Sequence, residues 1–315
     1  MRYMIEYLAL RIVLATGAAL PRRMMLWLGA RLGDVLHLTG FYRRIVHRNM
    51  TFVGLWSPEE ERRITRGLYR TLGKYAADFL RPTTRPLPFR VVNEHVLTEQ
   101  TVDEHGAVAI SAHFGNWELL ASFFSQRVAD LSLVVKPMKN PLVDRWLTKR
   151  RLESGASSIP PRSALRRSLR ILRRKGVVAF MIDQYAGSMG TPALFLGKRT
   201  KTVRTVAGLV NRTGCGAFGI YALLEDDGAY RVVLQRPPTA DCAPNDRDEA
   251  VAMLQESHNK MISEWITTYP EHWFGWFHRR FKDVLDYQSP TRSQTVCRSH
   301  EESGIGLSEY DLREK

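Results

Sequence analysis

The order of apolar and polar positions along the chain predicts strands that alternate with helices. Apolar runs typical of buried strands occur at Ala107 to Ile110, Leu131 to Val135, Val177 to Ile182 and Gly216 to Leu224, and amphipathic helical segments separate them. This alternation favours an α/β fold, with a central, largely parallel or mixed sheet flanked by helices. Ligands of such sheets bind beyond the carboxyl ends of the strands, so polar residues at those ends are the first candidates for a functional site.

A long helix is predicted upstream of these strands. Ser57 is a suitable N-cap and Pro58 suits the first helical position, so the helix should begin there and continue to about Leu80. A proline-containing stretch follows it and breaks the chain before the first strand.

A second helix, predicted from Ser163 to Lys175 and ended by Gly176, is unusually basic. Its apolar stripe consists of Leu165, Leu169 and Leu172. The other positions carry positive charge without any acidic residue between them: Arg166, Arg167, Arg170, Arg173, Arg174 and Lys175. This pattern is typical either of a solvated surface or of a docking face for an acidic partner.

The N-terminal segment contains two mostly apolar stretches, Tyr3 to Leu20 and Met24 to Leu38. Charged side chains interrupt both, so neither reaches the roughly 18 to 20 uninterrupted apolar residues of a membrane-spanning helix. The first stretch also ends without the small-residue cleavage site of a secretory signal. The pattern predicts an interfacial or short, tilted membrane anchor, the alternative being a buried helix pair of a soluble domain. The arginines expected to meet anionic headgroups are Arg22, Arg23, Arg43, Arg44 and Arg48.

These patterns divide the chain into three predicted regions. Residues 1–50 form the membrane-associated helical segment, residues 51–285 the catalytic domain, and residues 286–315 a polar, mobile tail.

Charge and cysteine content narrow the possible partners. The 315 residues carry a formal net charge of +14, which favours an acidic partner such as nucleic acid, anionic lipid or an acidic carrier protein. Nucleic acid is disfavoured because no RNA-binding, zinc-finger or basic-region signature occurs. The three scattered cysteines, Cys215, Cys242 and Cys297, predict neither a disulfide framework nor a metal site, and the chain is expected to face the cytoplasm.

The candidate chemistry lies in the segment that follows the strand at Ala107 to Ile110. There His113 and Glu118 are separated by four residues, and a turn at Gly115-Asn116 would allow them to meet. Glu118 would hold the Nδ1 proton of the imidazole, which leaves Nε2 free to take a proton from a substrate hydroxyl. The alternative is a structural histidine beside a helix-capping glutamate.

This block and three others resemble, in the same order, those of the late acyltransferases of lipid A biosynthesis, which are bacterial inner-membrane enzymes. The blocks are His113-Phe114-Gly115-Asn116-Trp117-Glu118; Asn140-Pro141-Leu142 with Arg151-Leu152; Asp183-Gln184 with Gly190 and Phe195-Leu196-Gly197, continued by Thr205, Ala207 and Gly208; and Pro270-Glu271 with Trp276 and His278-Arg279-Arg280-Phe281-Lys282. One departure is an apparent extra residue in His272-Trp273-Phe274-Gly275, which affects the alignment of Trp273. The tryptophans and basic residues of the last block also suit helix packing and surface charge or headgroup contacts.

The resemblance implies transfer of a fatty acyl group from an acyl carrier protein thioester to a hydroxyl of a lipid A precursor, at the cytoplasmic face of the inner membrane. His113 would be the general base, oriented by Glu118, and no covalent acyl-enzyme would form. No cofactor or metal is expected, because the phosphopantetheine group arrives with the acyl carrier protein. The expected partners are that carrier, the glycolipid acceptor and the anionic membrane, and nucleic acid is not among them.

Substrate contacts are expected from Asn116, Arg151, Asp183 and Gln184. The thioester oxyanion would be met by backbone N–H groups around Phe114 to Asn116 or by Arg151, which suits a phosphate equally well. Asp183 would position an acceptor hydroxyl or a basic partner, or act only as a helix cap. Two other functions remain open: acylation of another glycolipid, such as a phosphatidylinositol mannoside, and a non-enzymatic basic protein of membrane surfaces or nucleic acid.

Overall fold

A computed structural model describes residues 1–81, 87–101, 106–125, 127–128, 130–239 and 244–288. Its strands are β1 (Phe89–Val92), β2 (Ala107–Ser111), β3 (Leu131–Val134), β4 (Ala156–Ile159), β5 (Val177–Met181), β6 (Thr191–Phe195), β7 (Lys198–Thr202), β8 (Gly216–Leu224) and β9 (Tyr230–Gln235). Its α-helices are α1 (Arg2–Ala19), α2 (Arg22–Leu38), α3 (Arg43–Val53), α4 (Pro58–Phe79), α5 (His95–Thr101), α6 (Trp117–Ser125), α7 (Pro141–Glu153), α8 (Ala164–Leu172), α9 (Thr205–Thr213) and α10 (Arg247–Thr268).

Seven strands form one mixed sheet in the order β1-β9-β8-β2-β5-β3-β4, and all neighbours are parallel except β8 and β9. The predicted α/β class and the four strands predicted from apolar runs are therefore confirmed. The runs identified strands because those strands are largely buried; β2 is buried at all five positions. The hairpin β6–β7 was not predicted, since it includes the charged run Lys198 to Lys201 and alternates buried with exposed positions.

The register of the two central strands positions the functional site. Strands β2 and β5 are adjacent and parallel, and Ser111 pairs with Met181. His113 and Asp183 each lie two residues beyond this pair, so both emerge at the same level of the carboxyl edge.

Both predicted helices exist, but α8 covers only Ala164–Leu172 of the predicted range Ser163 to Lys175, and the side of it that is buried differs from the predicted stripe. Helix α4 begins with a full capping box, in which Ser57 and Glu60 bind each other's backbone N–H groups. The buried side of α8 is formed by Ala164, Ser168, Ile171 and Leu172. Leu165 of the predicted stripe is 49% exposed, because it lies about 100° around the helix from Ala164.

The N-terminal helices have one packed side and one exposed apolar side. Helix α2 crosses α4 at very close range, with Gly29 against Gly73 and Gly33 against the backbone of Tyr69. Large apolar side chains exposed on α1 and α2 include Ile5, Leu8, Ile12, Trp27, Leu32, Val35 and Leu38. Among the described residues, no helix is both long and apolar enough to cross a membrane. Membrane association of this segment stays a prediction.

Two arginines predicted to face headgroups are instead largely buried by the protein. Arg48 is 8% exposed and donates to the carbonyl oxygen of Asp286 at 2.9 Å. The side chain of Arg22 is 18% exposed and pairs with Asp78 at 2.7 Å. Both guanidinium groups find acceptors within the fold, so they are not available to lipid. Of the predicted tail, residues 286–288 lie near α3, and residues 289–315 lie outside the described part of the chain.

We expect the α2–α4 crossing to tolerate no side chain at Gly29. A Cβ there would lie 2.3 Å from the carbonyl oxygen of Gly73, so the helices must separate. Gly29→Ala should lower the free energy of unfolding by roughly 1 to 3 kcal/mol in a urea titration. The matched control is Gly208→Ala on α9, where a Cβ has no neighbour within 4 Å. Equal unfolding midpoints for the two variants would contradict the close crossing.

Candidate active site

A buried aspartate organises the candidate site. Asp183, which is fully buried, accepts the backbone N–H of His113 on Oδ2 at 3.0 Å, and its Oδ1 lies 3.0 Å from His113 Nδ1. The indole Nε1 of Trp273 donates to Oδ2 at 2.8 Å. These contacts join the ends of β2 and β5 to the C-terminal segment. Asp183 therefore does more than cap a helix, which was one of the roles that the sequence allowed for it.

The position predicted for Glu118 is occupied by Asp183. Glu118 lies in the first turn of α6 and receives a bidentate contact from Arg151 of α7, with Nη2 at 2.6 Å and Nε at 3.2 Å. Gly115 adopts φ of +64°, which turns the chain after His113 and directs Glu118 towards α7. The predicted Glu118 contact with Nδ1 is therefore wrong, although the catalytic roles of His113 and Glu118 stay predictions.

The surroundings of His113 determine its protonation. Burial disfavours the charged ring, but the charge and hydrogen bond of Asp183, with a further contribution from Glu118, outweigh it and raise the pKa of His113. Burial by itself would raise the pKa of the Asp183 carboxyl. The contacts with His113 and Trp273 outweigh burial and hold this pKa below its usual value. In the neutral ring, Nδ1 donates to Asp183 and Nε2 is left as an acceptor.

The His113 imidazole is partly exposed. The imidazole side chain is 24% exposed, and Gln184 Nε2 lies 3.2 Å from His113 Nε2. The ring of Trp117 lies 5.4 Å from the imidazole and that of His278 lies 5.9 Å from it, centroid to centroid. Of the predicted substrate contacts, Asp183 and Gln184 are thus brought to His113, and Arg151 is brought to Glu118.

The turn between His113 and Glu118 is fixed by backbone hydrogen bonds. Gly115 N–H donates to His272 at 2.9 Å, and Asn116 N–H donates to Ala222 at 2.9 Å. Of the oxyanion donors predicted from Phe114 to Asn116 or Arg151, these two N–H groups are consequently not available. A Cβ at Gly115 would lie 2.1 Å from the Ala222 carbonyl oxygen, which is why glycine is required there.

The Asn116 side chain joins a buried polar chain instead of facing open space. Its Nδ2 donates to the Tyr230 hydroxyl at 2.9 Å, and that hydroxyl donates to Asp78 at 2.9 Å. Asp78 also receives both arms of Arg22, at 2.8 and 2.7 Å. This Asn116–Tyr230–Asp78–Arg22 chain connects the turn between His113 and Glu118 to the first residue of α2. The Asn116 side chain is therefore buried within the protein and is not placed for the predicted contact with substrate.

Two residues of the closing block lie inside the fold. Trp273 is completely buried against Trp276, with ring centroids 4.6 Å apart. Arg280, predicted as surface charge or a headgroup contact, is 1% exposed, with its guanidinium 4.3 Å from the Phe195 ring centroid. The sequence did not predict the contact of the Trp273 indole or the Asn116–Tyr230–Asp78–Arg22 chain, because no local spacing connects Trp273 or Tyr230 to His113. In the described residues, no cluster of metal-ligating side chains occurs.

One family model matches residues 1–283, a span that contains every site residue described above, and its description is bacterial lipid A biosynthesis acyltransferase. No individual curated protein matches the chain.

We expect Asp183, more than Glu118, to set the pKa of His113. Asp183→Asn removes the nearest negative charge and should lower the pKa of His113, whereas Glu118→Gln should lower it by less because Glu118 makes the smaller contribution. The measurement is an NMR titration of the His113 imidazole in each variant. A larger shift in Glu118→Gln than in Asp183→Asn would contradict the assignment.

Proposed function

We propose that this chain, which belongs to the bacterial lipid A biosynthesis acyltransferase family and is an acyltransferase, moves a fatty acyl group from an acyl carrier protein thioester to a hydroxyl of a lipid A precursor. The observation that carries the proposal is the accessible His113 imidazole, whose Nδ1 faces the buried Asp183. Such a ring presents the basic Nε2 to a hydroxyl, which is what attack on a thioester requires.

In the proposed reaction, His113 first accepts a proton and then donates it to the leaving group. Nε2 takes the proton of the acceptor hydroxyl as its oxygen attacks the thioester carbonyl carbon. The new carbon–oxygen bond of the ester forms, the carbon–sulfur bond breaks, and the leaving sulfur receives the proton from the imidazolium. Asp183 stabilises the imidazolium between these steps without taking its proton, because a buried carboxylate with a lowered pKa is the weaker base of the pair.

Gln184 is proposed to contact the acceptor beside His113. Its amide nitrogen lies 3.2 Å from Nε2 and 3.5 Å from Nδ1 of the imidazole, so it lies over the ring and not along the in-plane lone pair of Nε2. That lone pair is therefore left to the acceptor hydroxyl, and the Gln184 side chain is close enough to contact the acceptor.

Arg151 is the proposed source of positive charge for the thioester oxyanion. The Gly115 and Asn116 N–H groups already donate to backbone carbonyl oxygens. Arg151 of α7, in contrast, is held by Glu118, which lies in the first turn of α6, shortly after His113. Its bidentate pairing fixes the plane of the guanidinium and leaves Nη1 outside the pair. Glu118 thus acts by positioning Arg151, in addition to raising the pKa of His113 through its charge.

Attachment to the cytoplasmic face of the inner membrane is proposed from the exposed apolar side of α1 and α2. Ile5, Leu8 and Ile12 follow helical spacing on one side of α1, and all three are more than half exposed. Contiguous apolar surface of this kind is rare on proteins that stay in water, and it suits the headgroup boundary of a bilayer. The acceptor would reach the protein from the same bilayer.

The acidic donor protein is proposed to dock on α8. Within the described residues, Arg166, Arg167 and Arg170 make no ion pair, and only Arg174 of this helix region binds a carboxylate, that of Asp130 at 3.3 Å. Unpaired arginines on an exposed surface provide the complementary charge that speeds the encounter with an acidic carrier.

His113→Ala should abolish transfer, because a well-placed general base contributes about 100- to 10,000-fold to the rate. Asp183→Asn should lower kcat strongly and move the acidic limb of kcat/KM to lower pH, since the pKa of His113 falls. Glu118→Gln should be milder. The measurement is turnover of acyl carrier protein thioester, with circular dichroism as the folding control. Near-normal turnover of folded His113→Ala would exclude the proposed base.

Charge reversal on α8 should weaken donor binding and leave the chemical step unchanged. We expect Arg166→Glu with Arg170→Glu to raise KM for the carrier-borne donor at low salt, with little change in kcat, because these side chains do not touch the reacting carbonyl. Added salt should reduce the difference in KM between this double variant and the wild type, because salt screens exposed charges. The matched control carries Arg247→Glu with Lys260→Glu on α10, which changes the net charge equally. Equal KM values in the two double variants would exclude docking on α8.

A further inference from the structure

We propose that a cavity between α2, α3 and α4 binds the phosphate-bearing headgroup of an anionic membrane phospholipid. The cavity has a volume of about 730 Å³. Its lining includes four arginines and two histidines but only one acidic residue, and these are Arg43, Arg44, Arg62, Arg66, His37, His47 and Glu61. The inference deepens the proposed membrane attachment and rests on it.

The positive charge of the cavity is only partly neutralised. In the described part of the chain, Arg43 and Arg62 are exposed and form no ion pair, and Arg66 lies 3.6 Å from Asp34. Glu61 is engaged by His47 at 3.5 Å. Burial is the largest cause of the lowered pKa of His37, and the charges of Arg43 and Arg66 lower it further, against the smaller opposing effect of Asp34. An anion placed there would meet the positive charges of Arg43 and Arg62, which no carboxylate of the described residues pairs with.

His37 adds a buried donor or acceptor to this set. Its Nδ1 is buried and has no hydrogen-bond partner in the described residues. A buried polar atom without a partner is costly, and a bound anion would satisfy it when Nδ1 carries the proton. Arginine side chains complete the site, since their planar donors match the oxygen atoms of a phosphate.

An apolar rim identifies the occupant as a lipid. Gly40, which lines the cavity, lies in the turn between α2 and α3, next to Phe41 and Tyr42, and Leu38 is the last residue of α2. These three side chains are 81%, 47% and 51% exposed. Exposed apolar groups beside a basic cavity match a bilayer surface, where acyl chains lie directly below phosphate groups. Neither His113 nor Asp183 lines the cavity, so the bound lipid would serve as an anchor and not as the acceptor.

The first test compares vesicle binding by the full chain. Wild type and two double variants are sedimented with phosphatidylcholine vesicles and with vesicles that contain phosphatidylglycerol, at fixed ionic strength. Arg43→Gln with Arg62→Gln should reduce binding to the phosphatidylglycerol vesicles by about tenfold or more and leave binding to phosphatidylcholine unchanged. The control, Arg247→Gln with Lys260→Gln, loses the same charge on α10 and should bind like wild type.

The second test locates the ligand in the cavity. Short-chain phosphatidylglycerol, kept below its micelle concentration, should shift the imidazole NMR signals of His37 and His47 in wild type and not in the Arg43→Gln, Arg62→Gln variant. Equal shifts from the same concentration of inorganic phosphate would overturn the assignment to a lipid.

The outcomes separate this site from membrane attachment itself. Equal losses in the cavity and control variants would overturn the cavity site and leave general electrostatic attraction. Binding of wild type to both vesicle types without preference would overturn the cavity site while attachment stands. Failure to bind either vesicle type would overturn attachment and the cavity site together, without affecting acyl transfer.

Discussion

The candidate site depends on one buried carboxylate. Asp183 receives two donors from His113 and one from Trp273, so a single group fixes the imidazole, the end of β2 and the C-terminal segment. A buried charge is tolerated only when its oxygens are satisfied, and breaking such a pair costs about 3 to 5 kcal/mol. The same contacts that satisfy Asp183 therefore hold the imidazole of His113 in one orientation, with Nδ1 towards Asp183.

A second buried carboxylate connects this site to the N-terminal helices. Asp78 binds Arg22 at the start of α2 and the Tyr230 hydroxyl, and Tyr230 binds Asn116 in the turn between His113 and Glu118. Deletion of residues 1–23 would therefore do more than detach apolar surface, because Asp78 would lose the bidentate contact of Arg22 and keep the longer ion pair with Arg81 at 3.8 Å. The segment proposed to attach to the membrane is thus part of the structure that supports the turn.

The sequence predicted the site's position better than its contacts. Apolar runs identified the central strands, and the rule that ligands bind at carboxyl strand ends selected both His113 and Asp183. The partner of His113 depends on strand order, which brings β5 beside β2, and that order is not encoded in the spacing of His113 and Glu118. Trp273 and Tyr230 were missed for the same reason. Arg280 was misplaced because its charge predicted exposure, whereas the fold buries it over Phe195.

The most direct test of the account is the tautomer of His113 in the neutral state. Nitrogen-15 chemical shifts, recorded above the pKa of the ring, show which nitrogen carries the proton. If Asp183 orients the base, the proton resides on Nδ1 and Nε2 is unprotonated, and Asp183→Asn changes this distribution while Glu118→Gln preserves it. A proton on Nε2 in the wild type would contradict the central claim, because that nitrogen could not then accept the hydroxyl proton.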